Sequence, residues 1–320
     1  MTATTPHFHW LTHQSPPCAL GESPFWHPLE HKLYWVDIAA RQILRANSRL
    51  QSVESWDMPS EPGCIAPAAR GGLVIALRHG IFRADHWGGP LRQIGALPYD
   101  LSRMRANDGK CDAQGRFWVG TIDESRSERD AALFCIDARG GGTPRITRKI
   151  GPPDLAATTA NGLAWSPDQR TLYWADTPSH TVWAWDFDPA TTAMTAQRVF
   201  AQFAPKPEGW SVEPQRSDNA GYQGRPDGAT VDQQGNYWLA LYEGRRICQF
   251  APDGRLLRTI ATPLQCPTMP CLGGDQLQTL YITSVRKQRS DAELAAYPQS
   301  GCVLALSVDV PGLPVACFQD

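Results

Sequence analysis

Along the stretch Asn161–Asp188 the apolar positions cluster into three short aromatic runs separated by polar turns. NGLAW closes at SPDQ, TLYWAD closes at TPSH, and TVWAWDF follows. Runs this short, rich in Trp, Tyr, Val and Leu and bounded by Pro, Asp, Asn or Ser, predict consecutive antiparallel strands. The middle run recurs along the chain as KLYWVDI from Lys32, GGLVIAL from Gly71, GRFWVGT from Gly115, TLYWADT from Thr171, GNYWLAL from Gly235 and TLYITSV from Thr279. Each copy follows a turn, and the copies lie roughly 40–65 residues apart, the spacing of four-stranded blades.

A second periodicity coincides with the first. About ten to twelve residues ahead of each aromatic position a short strand begins: GESPFW at Gly21, PGCIAP at Pro62, NDGKCD at Asn107, NGLAWS at Asn161, DGATVD at Asp227 and TMPCLGG at Thr268. The two together predict an all-β chain, a six-bladed β-propeller spanning residues 1–320 as one domain. In such a ring the first strand of each blade lines a central channel, so six strand starts converge at one end. FHWLTH, near residues 8–13, has a strand pattern but no blade of its own. It is expected to pair with CVLALSV, Cys302–Val308, and close the ring, which would otherwise expose free edges. Two intervals are long. One holds the charged loop DESRSERDA, Asp123–Ala131. The other holds Phe203–Pro226, which is rich in Pro, Gly, Ser and Asn, leads into Asp227 and reads as a lid over the channel mouth. No helix of amphipathic length is expected.

Composition narrows the partners. The net charge of −2 lacks the basic face that nucleic acid or an anionic membrane requires. No apolar window approaches the ~18 residues of a spanning helix, and MTATTPHFHW has no secretory pattern. The nine cysteines are an odd set at irregular spacings. They read as buried thiols in a reducing, cytoplasmic setting. Cys266 and Cys271 form the close pair, with no second Cys or His pair to complete a metal cage. The eight histidines are scattered and read as surface or turn residues. Nothing signals an oligomer, so a monomer is the default.

Chemistry concentrates at the predicted channel mouth. Four of the strand starts are polar: Glu22, Asn107 with Asp108, Asn161, and Asp227. Singly, Asn-Gly and Asp-Gly are ordinary turn dipeptides and Glu22 an ordinary loop carboxylate. Their register alters that reading, because Glu22, Asn161 and Asp227 fall in one slot of three blades. Two carboxylates and an amide oxygen suit a hard divalent cation such as Ca²⁺, Mg²⁺ or Mn²⁺. Arg105, two residues ahead of Asn107, offers a planar fork to an oxygen-rich ligand, and Asn107 can donate to a hydroxyl or carbonyl. Lys110 and Asp112 read as a strand pair or turn support. Trp210, Tyr222 and Arg225 in the long loop are candidate pocket walls.

The runs LGESPFWHP, RANDGKCDAQGRFWVGT, NGLAWSPDQRTLYWADT and RPDGATVDQQGNYWLALYEGRRI, in this order, resemble the SMP-30/gluconolactonase/LRE-like family from about Gly21 to Pro314. The resemblance implies a six-bladed propeller and one catalytic divalent metal on Glu22, Asn161 and Asp227. Ca²⁺ is the first expectation; Zn²⁺, Mn²⁺, Mg²⁺ and Fe²⁺ are the alternatives. It implies substrate contacts from Arg105 and Asn107, and an acidic contact for which Glu124 is the nearest candidate. The activity it suggests is hydrolysis of a small-molecule sugar lactone to the aldonic acid. The cation would act as a Lewis acid on the ring carbonyl, with Asp227 either taking the proton of the attacking water or serving only as a ligand. A metal-dependent esterase or organophosphate hydrolase on the same fold, and a non-catalytic ligand-binding propeller, are the competing readings.

Overall fold

The computed structural model of the protein describes residues 8–10, 16–47, 52–126, 128–213 and 219–320. These fold into six four-stranded sheets arranged as a β-propeller. In the first five blades the strands follow one another outward in chain order. Their innermost strands are Gly21–His27, Pro62–Pro67, Met104–Cys111, Ala160–Trp165 and Arg225–Val231. The sixth blade runs Pro267–Gly273, Thr279–Ser284 and Leu304–Ser307, and its outer strand comes from the other end of the chain. There His9 pairs with Ala305 and Trp10 with Leu304, both antiparallel. Residues 11–13 of the predicted closing segment lie outside the described residues, as do 214–218 of the long loop. One short helix, Asp291–Ala296, is capped by the Ser290 side chain, which accepts the Glu293 N–H.

The second strand of each blade carries the core. Successive side chains of a strand point to opposite faces, so the paired aromatics of these runs serve two interfaces. Tyr34 packs between blades one and two, and Trp35 between blades six and one. Phe117 faces blade two, while Trp118 faces blade four, where its ring meets Trp165 and Phe187 edge to face. Tyr237 packs with Tyr173, and Trp238 turns toward blade six. Trp35, Trp118, Trp174 and Trp238 are all fully buried. Burial of a side chain this size is worth about 4–6 kcal/mol before chain entropy is counted.

The two ends of the channel differ. At the end where the innermost strands finish, the C-terminal segment crosses the ring. Gln233 N–H donates to Pro311 O, Ala69 N–H to Phe318 O, and Gln319 N–H to Gly115 O. Blades five, two and three are thereby tied to one strap. Beneath it lies an apolar cavity of about 310 Å³, lined by Phe25, Trp26, Ile65, Trp165, Leu272 and Val315 among others. The end where the innermost strands begin carries the polar residues and is the end this strap leaves uncovered.

Candidate metal and substrate site at the channel mouth

Each innermost strand carries one extra residue near its start, a β-bulge repeated in all six blades. The bulge decides which side chains reach the mouth. Glu22 opposite Val36 and Asn161 opposite Ala175 are the last paired residues before it. In blade five that slot holds Pro226, opposite Leu241, and Asp227 comes one residue later, inside the bulge. Asn107 has the same place in blade three, after Ala106 opposite Thr121. The expectation of one common slot for Glu22, Asn161 and Asp227 is therefore corrected. The extra residue bends the strand, and side chains from two successive positions meet at the mouth. In blade four the bulge passes through Gly162 at φ +63°, where an added Cβ would lie 2.6 Å from the Tyr237 hydroxyl.

Two carboxylates hold the approach to these positions. Asp37 accepts the N–H groups of Ala19 and Leu20 at 2.7 and 3.0 Å. Asp176 accepts those of Thr158 and Thr159, both at 2.9 Å. Each clamp ends two residues before a mouth residue, Glu22 in one case and Asn161 in the other. Both Asp side chains come from the end of the second strand, so the aromatic runs also fix the backbone that leads to the site.

The mouth side chains form one network. Arg105 donates to Asn107 Oδ1 at 2.9 Å and to Ala106 O at 2.8 Å, and its Nε meets Glu124 Oε1 at 3.1 Å. Asn107 Nδ2 donates to Asn161 Oδ1 at 2.9 Å and to Ala160 O at 3.0 Å. Asn161 Nδ2 donates to Thr177 Oγ1 at 2.7 Å, and that hydroxyl donates to Pro226 O at 2.8 Å. The chain of donors fixes the Asn161 amide with its oxygen toward Asn107. Glu124 also receives Arg78 at 2.6 Å, so the structure gathers Arg105, Asn107, Asn161 and Glu124 into one connected group.

Glu22 and Asp227 complete the mouth. Burial pushes the Glu22 carboxyl well above the usual carboxylate range, and the negative charges of Asp227 and Asp108 add to it; the Ser23 N–H and Arg105 offset only part. Burial also pushes Asp227 well up, with Asp108 adding to it against Arg225 and the Gly228 N–H. Asp108 is a third acid of this centre, itself raised by burial and partly relieved by Lys110. Its Oδ2 accepts the Leu163 N–H at 2.9 Å, and among the described residues its Oδ1 has no hydrogen-bond partner. Among the described residues no three His, Cys, Asp or Glu side chains make a cage by themselves. Glu22, Asp227 and the Asn161 oxygen nevertheless fit a hard cation, because the two buried acids crowd negative charge that nearby side chains only partly balance.

Several assignments change in the structure. Lys110 is not half of a strand pair: its ammonium crosses the channel to the carbonyl oxygens of Leu163, at 3.0 Å, and Ala229, tying blades three, four and five. Asp112 does support its turn, taking Arg116 at 2.6 Å and the Trp118 indole N–H at 2.7 Å. Arg225 opens the innermost strand of blade five rather than belonging to the loop. Trp210 and Tyr222 of that loop stack edge to face at 5.0 Å. His180, expected at the surface or in a turn, lies in the turn after Thr177–Ser179 and is buried, bonded to Tyr222 Oη at 2.8 Å. The described cysteines are all free, and eight of the nine are buried. Burial pushes the Cys135 and Cys271 thiols up to about 12, which keeps them protonated and unreactive. Asp108 was named with Asn107 among the polar strand starts but given no role, and Thr177 carried no signal beyond its place after TLYWAD.

Comparison with known proteins agrees with the fold. The sequence model of the SMP-30/Gluconolactonase/LRE-like region matches residues 20–286. The chain is similar to a 6-deoxy-6-sulfogluconolactonase of Pseudomonas putida, 38% identical over 302 residues, 94% of this chain and 96% of that one. It is also similar to regucalcin of Danio rerio, 31% identical over 301 residues, 92% and 93% of the two chains. A solved structure of a calcium-binding protein, regucalcin, from Agrobacterium tumefaciens superposes with a TM-score of 0.85 at 23% identity, covering 99% of this chain and all of that one.

Proposed function

The chain belongs to the SMP-30/gluconolactonase/LRE-like family, and from that membership we propose that it hydrolyses a sugar lactone to the aldonic acid. The residues assigned to this are those of the uncovered channel mouth. Glu22, Asn161 and Asp227 would hold one divalent cation, with Ca²⁺ the first candidate for an all-oxygen donor set. The carrying observation is the burial of two acids, Glu22 and Asp227, in one another's field beside an amide oxygen whose orientation is fixed.

A bound cation supplies Lewis-acid polarisation of the lactone carbonyl. Arg105 and Asn107 bind and orient the substrate oxygens, and Glu124 keeps the Arg105 guanidinium in place. Water adds to the carbonyl carbon and the ring C–O bond breaks. The ring oxygen leaves as a hydroxyl, and the product is the open-chain acid. Asp227 would accept the proton of the attacking water, a role typically worth ~10²–10⁴-fold. Burial and Asp108 raise the basicity of the metal-free carboxylate, and a cation bound to it would lower it again.

Acid release followed in a pH-stat tests the reading. The panel is D-glucono-1,5-lactone, several aldono-1,4-lactones and a 6-deoxy-6-sulfogluconolactone, the substrate class in the name of the Pseudomonas putida relative. Hydrolysis above the spontaneous rate that stops with EDTA and returns with added cation is the expected result. No excess hydrolysis of any lactone with any divalent cation would refute it.

A further inference from the structure

Arg225 stands in blade five where Arg105 stands in blade three. Each lies two residues ahead of a bulge residue at the mouth, Asp227 or Asn107, and each pairs with the second strand of its own blade, Arg225 opposite Tyr242 and Arg105 opposite Ile122. The two arginines thus flank Asn161 from the neighbouring blades. Their surroundings differ. Arg105 is spoken for, with Glu124 on its Nε and Asn107 on its fork. Arg225 stacks on the Tyr242 ring at 4.9 Å, and among the described residues its carboxylate contact is Glu243 at 3.4 Å.

Glu243 is already engaged. Both its oxygens accept Lys206 Nζ at 3.0 Å, and Arg289 reaches it at 3.2 Å. Arg289 in turn takes Glu293 at 2.7 Å. Lys206, Arg225 and Arg289 therefore share two carboxylates at ion-pair distance, Glu243 and Glu293. Burial alone would raise the Glu243 carboxyl, but Arg225, Lys206 and Arg289 together hold it below its ordinary range. The Arg225 side chain keeps 21% of its surface exposed, so solvent and ligands reach it. Its charge is felt at Asp227, which puts it at the channel mouth that a bound substrate would occupy.

We propose that Arg225 is a specificity residue that binds an anionic group on the substrate, so that the favoured lactone carries a sulfonate, phosphate or carboxylate remote from its carbonyl. A guanidinium suits this role because its planar fork binds such oxyanions in pairs. Glu243 is shared with Lys206 and Arg289, which hold it at 3.0 and 3.2 Å against 3.4 Å for Arg225, so it does not satisfy Arg225 on its own. This rests on the lactonase reading and adds to it the class of substrate and the residue that selects it.

The experiment compares kcat/KM for 6-phospho-D-glucono-1,5-lactone, 6-deoxy-6-sulfo-D-glucono-1,5-lactone and uncharged D-glucono-1,5-lactone in wild type, Arg225→Met and Arg225→Lys. Wild type should favour the charged lactones, and Arg225→Met should cut the charged-to-uncharged ratio by about 10- to 100-fold, the effect of one charge-assisted contact. Arg225→Lys should fall between, since it keeps the charge and loses the fork. Whether phosphate or sulfonate gives the larger ratio identifies the group. An unchanged ratio in Arg225→Met overturns the proposal. Calorimetric binding of 6-phospho-D-gluconate reads the anion site without turnover: equal affinity in wild type and a folded Arg225→Met overturns it as well. Wild type that binds this acid through Arg225 but opens none of the three lactones overturns the lactonase reading instead.

Discussion

Asn107 Nδ2 donates to Asn161 Oδ1 across 2.9 Å, joining blade three to blade four at the channel mouth. The same Asn107 presents its own oxygen to Arg105. One amide therefore couples the residue assigned to the cation with the residue assigned to the substrate. Asn107→Ala removes both contacts and leaves the Asn161 oxygen free for a cation. Lactone kcat/KM should fall about 10- to 100-fold, the effect of one or two hydrogen bonds to charged or reacting groups. Calorimetric Ca²⁺ affinity should change much less, and a parallel loss of both would contradict the division of roles.

Thr177 acts at one remove. Its hydroxyl accepts from Asn161 Nδ2 and donates to Pro226 O, the residue before Asp227. It thus aligns two of the three proposed ligands. Thr177→Val keeps the side-chain shape and deletes the relay. Cation affinity should weaken by about 10- to 100-fold, as is typical when the group orienting a ligand is lost. Restoration of wild-type activity at high cation concentration would distinguish this positioning role from a direct part in the chemistry.

What the sequence reveals here follows the period of its side chains. TLYWAD and its relatives were legible because a buried strand must alternate its aromatics between two interfaces, and because the turn before each copy is marked by Asp, Gly or Pro. Glu22, Asn161 and Asp227 were found by counting back from those aromatics. The count could not see the bulge, since one extra residue leaves no compositional trace, and so it misplaced Asp227 by one position relative to Glu22 and Asn161. Lys110 read as a strand pair or turn support with Asp112 because its partners, the carbonyls of Leu163 and Ala229, belong to backbone that no residue type announces. Arg225 was read as a loop residue because of the proline after it, which here fills the last paired position before the bulge, opposite Leu241. The C-terminal strap is held by backbone bonds to Gly115, Pro67 and Ala69, again invisible in side-chain pattern.

Asp112 and Arg116 supply a stability test away from the mouth. Their side chains are 1% and 2% exposed and meet at 2.6 Å, with the Trp118 indole donating to the same carboxylate oxygen. In blade five the corresponding Asp232 holds Trp238 and the neutral Asn236 instead. Asp112→Ala strands a buried guanidinium, which should cost about 3–5 kcal/mol, read as a lower midpoint in urea unfolding. The double variant Asp112→Ala, Arg116→Met should recover part of that loss. No recovery would place the cost in the Trp118 contact rather than in the uncompensated charge.

Glu22 and Asp227 give the protein a pH dependence whose sign can be worked out. Without a cation both carboxyls hold their protons to higher pH in the folded state than in the unfolded chain, through burial and the charge of Asp108. Folded protein then binds more protons than unfolded protein from about pH 4, the ordinary carboxylate value, up to the raised folded values. Below that window both states are protonated and the contribution to stability is fully present; as pH rises through it, the contribution is lost. A divalent cation reverses the trend because it binds the deprotonated pair, and it contributes about 2.7 kcal/mol at 100 times its Kd. The rise in melting temperature on adding CaCl₂ should therefore be small at pH 5 and larger at pH 8. Glu22→Gln with Asp227→Asn should abolish both the cation-induced rise and this part of the pH slope. An equal rise at the two pH values in the wild type would mean that the cation binds away from this pair of acids.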